Sequence, residues 1–273
     1  MRILGDNRGV TLVRVLAALL MIESAWLAYP WLRDRVVRYE ESPAAHGRRL
    51  AIELGCFNCH GPAGKGGVPN PGSRWETIPS FHEGTPMMFA SSDEELREYI
   101  LDGAPKKKLE RDSYKKEMDA QAIHMPAYRD WVDDDDVDAL VAYLRSASEL
   151  FQPEEKQALS GAEIVRAKGC FNCHGEMGSG GRPNPGSLKG YIPGFLGEDF
   201  TELVRNDEEL RGWINDGGVP RLREDPIASY FLQRQRIQMP AFGKFLTPAE
   251  VDAVASYVRW LASGAWQTEP LHE

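Results

Sequence analysis

Cysteine is scarce in this chain, since only four occur among 273 residues, and so few exclude a disulfide-rich scaffold. Basic residues are also in the minority, because 32 Lys and Arg stand against 41 Asp and Glu for a formal net charge of -9. This balance excludes a general nucleic-acid-binding protein, which needs a basic surface. A mean hydropathy of -0.42 excludes a protein that crosses a membrane many times. With 42% hydrophobic residues the chain can bury real cores, and its length favours two domains.

The four cysteines form two copies of one motif, because residues 56–60 and 170–174 both read Cys-Phe-Asn-Cys-His. This spacing lets two thiols bond to the vinyl groups of one haem while the adjacent histidine reaches the iron. A redox dithiol would need a βαβ context that the sequence lacks, and a zinc site would need both pairs to converge across 114 residues. We therefore predict two covalently attached haem c groups. Their binding residues are Cys56, Cys59 and His60 in one motif and Cys170, Cys173 and His174 in the other.

The chain repeats itself at an offset of 114 residues without insertion or deletion. The matching segments are residues 69–73 with 183–187, residues 93–97 with 207–211, and residues 125–127 with 239–241. Such a repeat indicates one domain duplicated in tandem, over about residues 43–147 and 161–262. We predict a first domain over residues 39–148, a linker over 149–160 and a second domain with a short tail over 161–273.

Helix signals recur in both copies, and strand signals are weak throughout. Ser42 before Pro43 predicts the start of a first helix, and Ser160 does so in the second copy. The caps Ser92 and Asn206 predict second helices that end at Gly103 and Gly217. Third helices are expected from near Asp133 and from Thr247, where apolar residues follow with a helical period. The sequence therefore predicts an all-α fold with Gly- and Pro-rich loops over each haem.

Each iron needs a sixth ligand, and Met239 is the candidate in the second copy. Met177 lies too close to the proximal histidine to reach the opposite face, and the other histidine lies in the tail. The first copy offers six candidates, which are His82, Met87, Met88, Met118, His124 and Met125. Met125 is favoured because it aligns with Met239, and both precede proline. Core packing of the methionines and ligation by His124 remain as alternatives.

These motifs resemble two class I cytochrome c domains in tandem, over roughly residues 43–262. The resemblance implies the all-α cytochrome c fold, low-spin haem with His/Met ligation, and a terminal helix packed across the first helix. Gly55 and Gly169 are expected to permit that close approach. The resemblance also implies a proline carbonyl that holds each proximal imidazole, a role that falls best on Pro69 and Pro183. These prolines could instead only shape the loop.

Residues 10–32 are mostly apolar and predict a single transmembrane helix, within an anchor over residues 1–38. A removed signal peptide is the alternative, although Trp26 and Glu23 occupy the positions before the available alanines and leave no good cleavage site. The cytochrome resemblance implies a bacterial inner membrane protein with its haem domains on the periplasmic side. Glu23 within the span favours contact with a neighbouring membrane subunit.

A basic cluster interrupts the acidic remainder of the chain. Its six cations are Lys106, Lys107, Lys108, Arg111, Lys115 and Lys116. A solvated loop is the simpler interpretation, and a docking patch for an acidic redox partner is the sharper one.

Three functional classes remain. We favour an electron carrier with redox protein partners in a respiratory or photosynthetic membrane complex and no small-molecule substrate, because two six-coordinate haems leave no open site. A dihaem peroxidase would need one iron able to open, and the paired Met-Pro motifs argue against it. A mainly structural subunit of such a complex is the third class.

Overall fold

The computed structural model describes residues 7–36, 41–149 and 151–267. Residues 1–6 and 37–38 of the expected anchor, residues 39–40 at the start of the expected first domain, Leu150 in the expected linker and residues 268–273 in the tail lie outside this description. The described chain divides into an N-terminal unit up to residue 40 and a unit over residues 41–273.

The N-terminal unit is one helix, α1, over Asn7–Val36. Its segment Thr11–Ala28 is long and apolar enough to cross a membrane, and none of it is buried within the protein. Among the described residues it is the one helix with these properties.

The second unit is helical, and its two copies contain matching helices. The helices of the first copy are α2 (Pro43–Glu53), α3 (Cys56–His60), α4 (Thr85–Phe89), α5 (Asp93–Asp102), α6 (Lys106–Leu109), α7 (Asp112–Ala120) and α8 (Asp134–Ser148). Those of the second are α9 (Lys156–Ala167), α10 (Cys170–His174), α11 (Glu198–Leu203), α12 (Asp207–Asp216), α13 (Pro220–Glu224), α14 (Pro226–Arg234) and α15 (Pro248–Ser263). Two short antiparallel strands, β1 (Arg182–Pro183) and β2 (Tyr191–Ile192), correspond to a single bridge between Pro69 and Thr77 in the first copy. The predicted all-α fold is confirmed.

The predicted helix ends are confirmed with one exception. Ser42 and Ser92 cap α2 and α5 through their hydroxyl groups, and α5 ends at Gly103. The prediction of a helix start at Ser160 is wrong, because α9 begins at Lys156, inside the expected linker. A proline disfavours helical geometry in the residue before it, so Pro43 sets the boundary of α2. No proline stands at the matching position of the second copy, and good helix formers extend α9 backward.

The first and last helices of each copy cross at a glycine. A Cβ atom on Gly47 of α2 would overlap the carbonyl oxygen of Ala139 in α8, and one on Gly161 of α9 would overlap that of Ala253 in α15. The expectation that Gly55 and Gly169 permit this approach is therefore wrong. Gly55 instead adopts a positive φ of 74° at the start of α3, and a Cβ there would meet an asparagine side chain of its own copy.

The two copies share a continuous hydrophobic core. It includes Val137 and Tyr143 of the first copy and Met177, Leu261 and Trp266 of the second, each at most 1% exposed. A hydrogen bond from Ser42 Oγ to the carbonyl oxygen of Ser179, 2.6 Å long, adds a polar contact between the copies.

Candidate functional site

The two C-x-x-C-H segments form single helical turns, α3 and α10, that lie in the walls of two separate cavities. Both walls include the two cysteines and the histidine of each motif, together with the methionine of the Met-Pro segment. These are Cys56, Cys59, His60 and Met125 in the first cavity and Cys170, Cys173, His174 and Met239 in the second. Burial raises the pKa of the Cys56 thiol to about 11 and also raises that of Cys170. The structure thus brings all eight predicted residues to the two cavities.

Each motif histidine is held by a backbone carbonyl. His60 Nδ1 lies 2.9 Å from the carbonyl oxygen of Pro79, and His174 Nδ1 lies 2.9 Å from that of Pro193. A carbonyl oxygen can only accept, so Nδ1 carries the proton and donates it. Burial lowers the pKa of both imidazoles, although the carbonyl contact opposes this effect. Each ring is therefore neutral near pH 7 and keeps the Nε2 lone pair for a metal.

The assignment of this carbonyl role to Pro69 and Pro183 is wrong. Both lie ten residues upstream of the prolines that hold the imidazoles, Pro69 in the bridge to Thr77 and Pro183 in strand β1. The correct signal was present in the sequence, because Pro79 and Pro193 align at the 114-residue offset and each precedes Phe by two positions. Those phenylalanines lie against the histidines, with ring centroids 4.3 Å apart for Phe81 and 4.7 Å for Phe195.

The methionine segments are positioned by two further elements. Gly103 and Gly217, which end α5 and α12, lie so close to the carbonyl oxygens of Met125 and Met239 that a Cβ on either glycine would overlap them. A buried asparagine holds the chain two residues before each methionine. Asn70 accepts from Ile123 N at 2.8 Å and donates to Ile123 O at 3.0 Å. Asn184 makes the same pair of bonds to Ile237. The role of these asparagines was not predicted, although the repeated Pro-Asn-Pro-Gly-Ser segment could have indicated it.

The alternative ligands differ in their access to the cavities. In the first copy Met118 and His124 also line the cavity, whereas Met88 is 68% exposed on the surface. His82 is engaged through Nε2 with the carbonyl oxygen of Ala63 at 2.9 Å. In the second copy Met177 is fully buried, and its sulfur lies 3.6 Å from the Tyr257 hydroxyl oxygen. Met239 is thus the one methionine in the described wall of the second cavity.

The walls fit haem c. The cavities have volumes of about 230 Å³ and 460 Å³, far above the roughly 30 Å³ share of one water molecule. Aliphatic and aromatic residues such as Ile78, Leu96 and Ile100 dominate the first wall, and Ile192, Leu210 and Ile214 have this role in the second. Paired thiols, a neutral imidazole and a thioether in an apolar cavity are the donor set that covalently bound haem requires.

The comparison with family models supports two cytochrome c domains. The model of the cytochrome c family matches residues 44–148 and again residues 158–262. A search of curated proteins found no match. Among solved structures, the reducing HAO-like protein complex of Kuenenia stuttgartiensis is 18% identical with a TM-score of 0.27, over 80% of this chain and 96% of that chain. Two tandem matches to one family imply two covalently attached haem c groups, at Cys56/Cys59 and Cys170/Cys173. The chain belongs to the cytochrome c family, as a tandem dihaem member.

Proposed function

We propose that this protein is a membrane-anchored electron carrier with two six-coordinate haems. In this proposal His60 and Met125 would hold one haem iron, and His174 and Met239 would hold the other. The observation that carries it is the matched wall of the two cavities, in which a carbonyl-held imidazole and a Met-Pro segment recur at the same offset. The haem iron supplies the chemistry, because it takes up and gives up one electron.

The residues of the chain support that chemistry in three ways. The prolyl carbonyls of Pro79 and Pro193 orient the imidazoles, and burial keeps the rings neutral, which favours ligation by Nε2. The asparagine and glycine contacts fix the methionine segments, and His/Met ligation raises the reduction potential. The apolar walls exclude water, which also favours the less charged reduced state.

The location and partners are part of the same proposal. Helix α1 supports a membrane anchor, and the two cytochrome c domains, which are typically periplasmic in bacteria, support the periplasmic side of the inner membrane for the haems. The partners are redox proteins of a respiratory or photosynthetic membrane complex. For the docking surface, the basic cluster on and beside α6 and α7 is the candidate, because Tyr114, Glu117 and Met118 of α7 line the first cavity while most of the six cations are exposed.

Optical spectroscopy tests the proposed ligation. The reduced protein should give a low-spin c-type spectrum, and the oxidised protein should show a near-infrared methionine-to-iron band with the intensity of two haems. Met239→Ala should remove half of that band, whereas Met88→Ala, at the exposed surface, should leave it whole. A high-spin signal in the resting protein, or rapid turnover of peroxide, would favour a dihaem peroxidase instead.

A further inference from the structure

The two copies differ in charge at three positions that the fold brings together. At the 114-residue offset, each position has a charged residue in one copy and a neutral residue in the other. The pairs are Arg48 with Ala162, Glu176 with Pro62, and Arg182 with Val68. The duplicated framework therefore does not require these charges.

The three charged side chains meet where the copies contact each other. Glu176 accepts from Arg182 Nη2 at 3.0 Å and 3.2 Å through its two carboxylate oxygens. Arg48 Nε, from helix α2 of the other copy, lies 3.9 Å from Glu176 Oε2. The side chains are only 14% to 28% exposed, so solvent screens them weakly. We call these three residues the ionic cluster.

The ionic cluster lies between the two haem-attachment segments. On one side it adjoins Tyr143, whose ring lines the first cavity and packs edge-on against Phe57 at 6.2 Å, within the first C-x-x-C-H motif. The turn Glu176–Gly178 packs against α8, the helix that carries Tyr143. The pKa of Tyr143 is raised chiefly by burial, and next by the charge of Glu176. On the other side, Glu176 follows His174 by two residues.

The cluster carries one net positive charge, since two arginines face one glutamate. Among the described residues, Glu176 is the one carboxylate paired with either arginine, and the Nε atoms of Arg48 and Arg182 are buried there without a hydrogen-bond partner. The two cations are neighbours, because both guanidinium groups face the same carboxylate, at 3.9 Å for Arg48 and 3.0 Å for Arg182. The pKa of Arg48 is lowered, first by burial and next by the charge of Arg182.

We propose that the ionic cluster is a positive charge shared by the two haem sites, and that it raises the reduction potential of both. Reduction adds an electron to each iron, so a nearby positive charge stabilises the reduced state, and burial strengthens the effect. Arg48 comes from one copy and Glu176 from the other, so the ionic cluster forms only when the two copies are in contact. This inference rests on the proposed electron-transfer function.

Redox titration of the full-length holoprotein, followed through haem absorption, tests the proposal. Glu176→Gln changes the cluster charge from +1 to +2 and should raise both midpoint potentials. Arg182→Met changes it to zero and should lower both, and Arg48→Met should do the same. Because the cluster is largely buried, these shifts should persist at high salt.

Arg49→Met is the matched control, because it removes the same charge from the same helix. Arg49 is 48% exposed and pairs with Glu41 and Glu53 at the surface, so its loss should leave both potentials unchanged. Shifts of the same sign in Glu176→Gln and Arg182→Met, a shift confined to one haem, or equal shifts in the control would overturn the inference. A wild-type protein without two low-spin haems would instead contradict the proposed function.

Discussion

The two buried tyrosines of the C-terminal helices, Tyr143 in α8 and Tyr257 in α15, occupy equivalent positions but have different hydroxyl environments. Tyr257 donates to the sulfur of Met177 at 3.6 Å. Tyr143 is 1% exposed, and its hydroxyl has no hydrogen-bond partner within the described part of the chain. The methionine of the second copy is replaced by Ala63 at the matching position of the first. The two copies thus share the buried ring but not the polar partner of its hydroxyl.

This difference predicts opposite effects of the same substitution. Tyr143→Phe removes a buried hydroxyl that is desolvated on folding but makes no hydrogen bond in return. The free energy of unfolding should therefore rise by about 1 kcal/mol. Tyr257→Phe removes a weak hydrogen bond to sulfur and should cost roughly 0.5 kcal/mol. Urea denaturation of the two holoproteins would measure both changes. Destabilisation by Tyr143→Phe would show that its hydroxyl has a partner, such as a bound water molecule.

Among the individual residues of the site, the haem-attachment residues could be predicted from the sequence, whereas the carbonyl groups that accept from the imidazoles could not. The cysteines and histidines are adjacent in the chain, so their spacing alone indicates their chemistry. The acceptor carbonyls lie 19 residues beyond each histidine, and the intervening loop contains other prolines. Which proline returns to the ring depends on how that loop folds, and spacing does not specify the folding.

Among the helices, the crossing of the first and last in each copy depends on a residue without a side chain. Gly47 and Gly161 let the backbone of α2 and α9 approach the carbonyl oxygens of α8 and α15. The sequence pattern predicted these helices from their caps and apolar periods. It did not reveal which glycine lies at the crossing, because that depends on the angle between two segments about 90 residues apart.

Substitution of the crossing glycines should therefore be costly. Gly161→Ala places a methyl group against the backbone of α15, which cannot move away as a flexible side chain could, so a loss of about 3 kcal/mol is expected. Gly212→Ala is the matched control on α12. Its Cβ would lie 3.3 Å from Cγ1 of Val219, which is a side-chain atom and can shift slightly to make room. Thermal or urea unfolding gives the comparison. Equal stability of the two variants would mean that α9 and α15 can separate without loss of packing.

For the molecule as a whole, the tandem duplication was predictable because four motifs recur at one offset. The contact between the copies was not, since Arg48, Tyr143 and Glu176 are remote in sequence and follow no common pattern. Residues that contact the other copy can differ between the two copies, as Arg48 and Glu176 do here. Comparison of the two copies with each other is therefore the most direct way to find such residues in a duplicated chain.

The proposed anchor gives a prediction for the whole protein in its membrane. If helix α1 is retained, mass spectrometry of the mature protein should find peptides that include residues 15–32, and carbonate washing should leave the protein in the membrane. A variant that lacks residues 1–38 and has a cleavable signal peptide in their place should be recovered in soluble form with both haems attached. Recovery of the unaltered protein as a soluble periplasmic form would identify the segment as a removed signal.

The final prediction concerns the surface at which the molecule exchanges electrons. Within the basic cluster, Lys108 is already engaged, because its Nζ donates to the carbonyl oxygen of Phe89 and lies 3.7 Å from a carboxylate oxygen of Glu95. Lys106, Lys107 and Lys116 are exposed and are therefore more available to a partner than Lys108. Reversal of these three to Glu, with Lys108 kept, should preserve the fold and the haem spectra.

Two small redox reagents of opposite charge test this surface without knowledge of the partner. Oxidation of the reduced protein by anionic hexacyanoferrate(III) should be slower in the triple variant than in wild type at low ionic strength, and the difference should shrink as salt screens it. Oxidation by cationic tris(phenanthroline)cobalt(III) should change in the opposite direction. The matched control reverses Arg234, Arg236 and Lys244 of the second copy, which are also exposed. Equal rates in wild type and the first-copy variant across the salt series would show that the basic cluster is only a solvated surface.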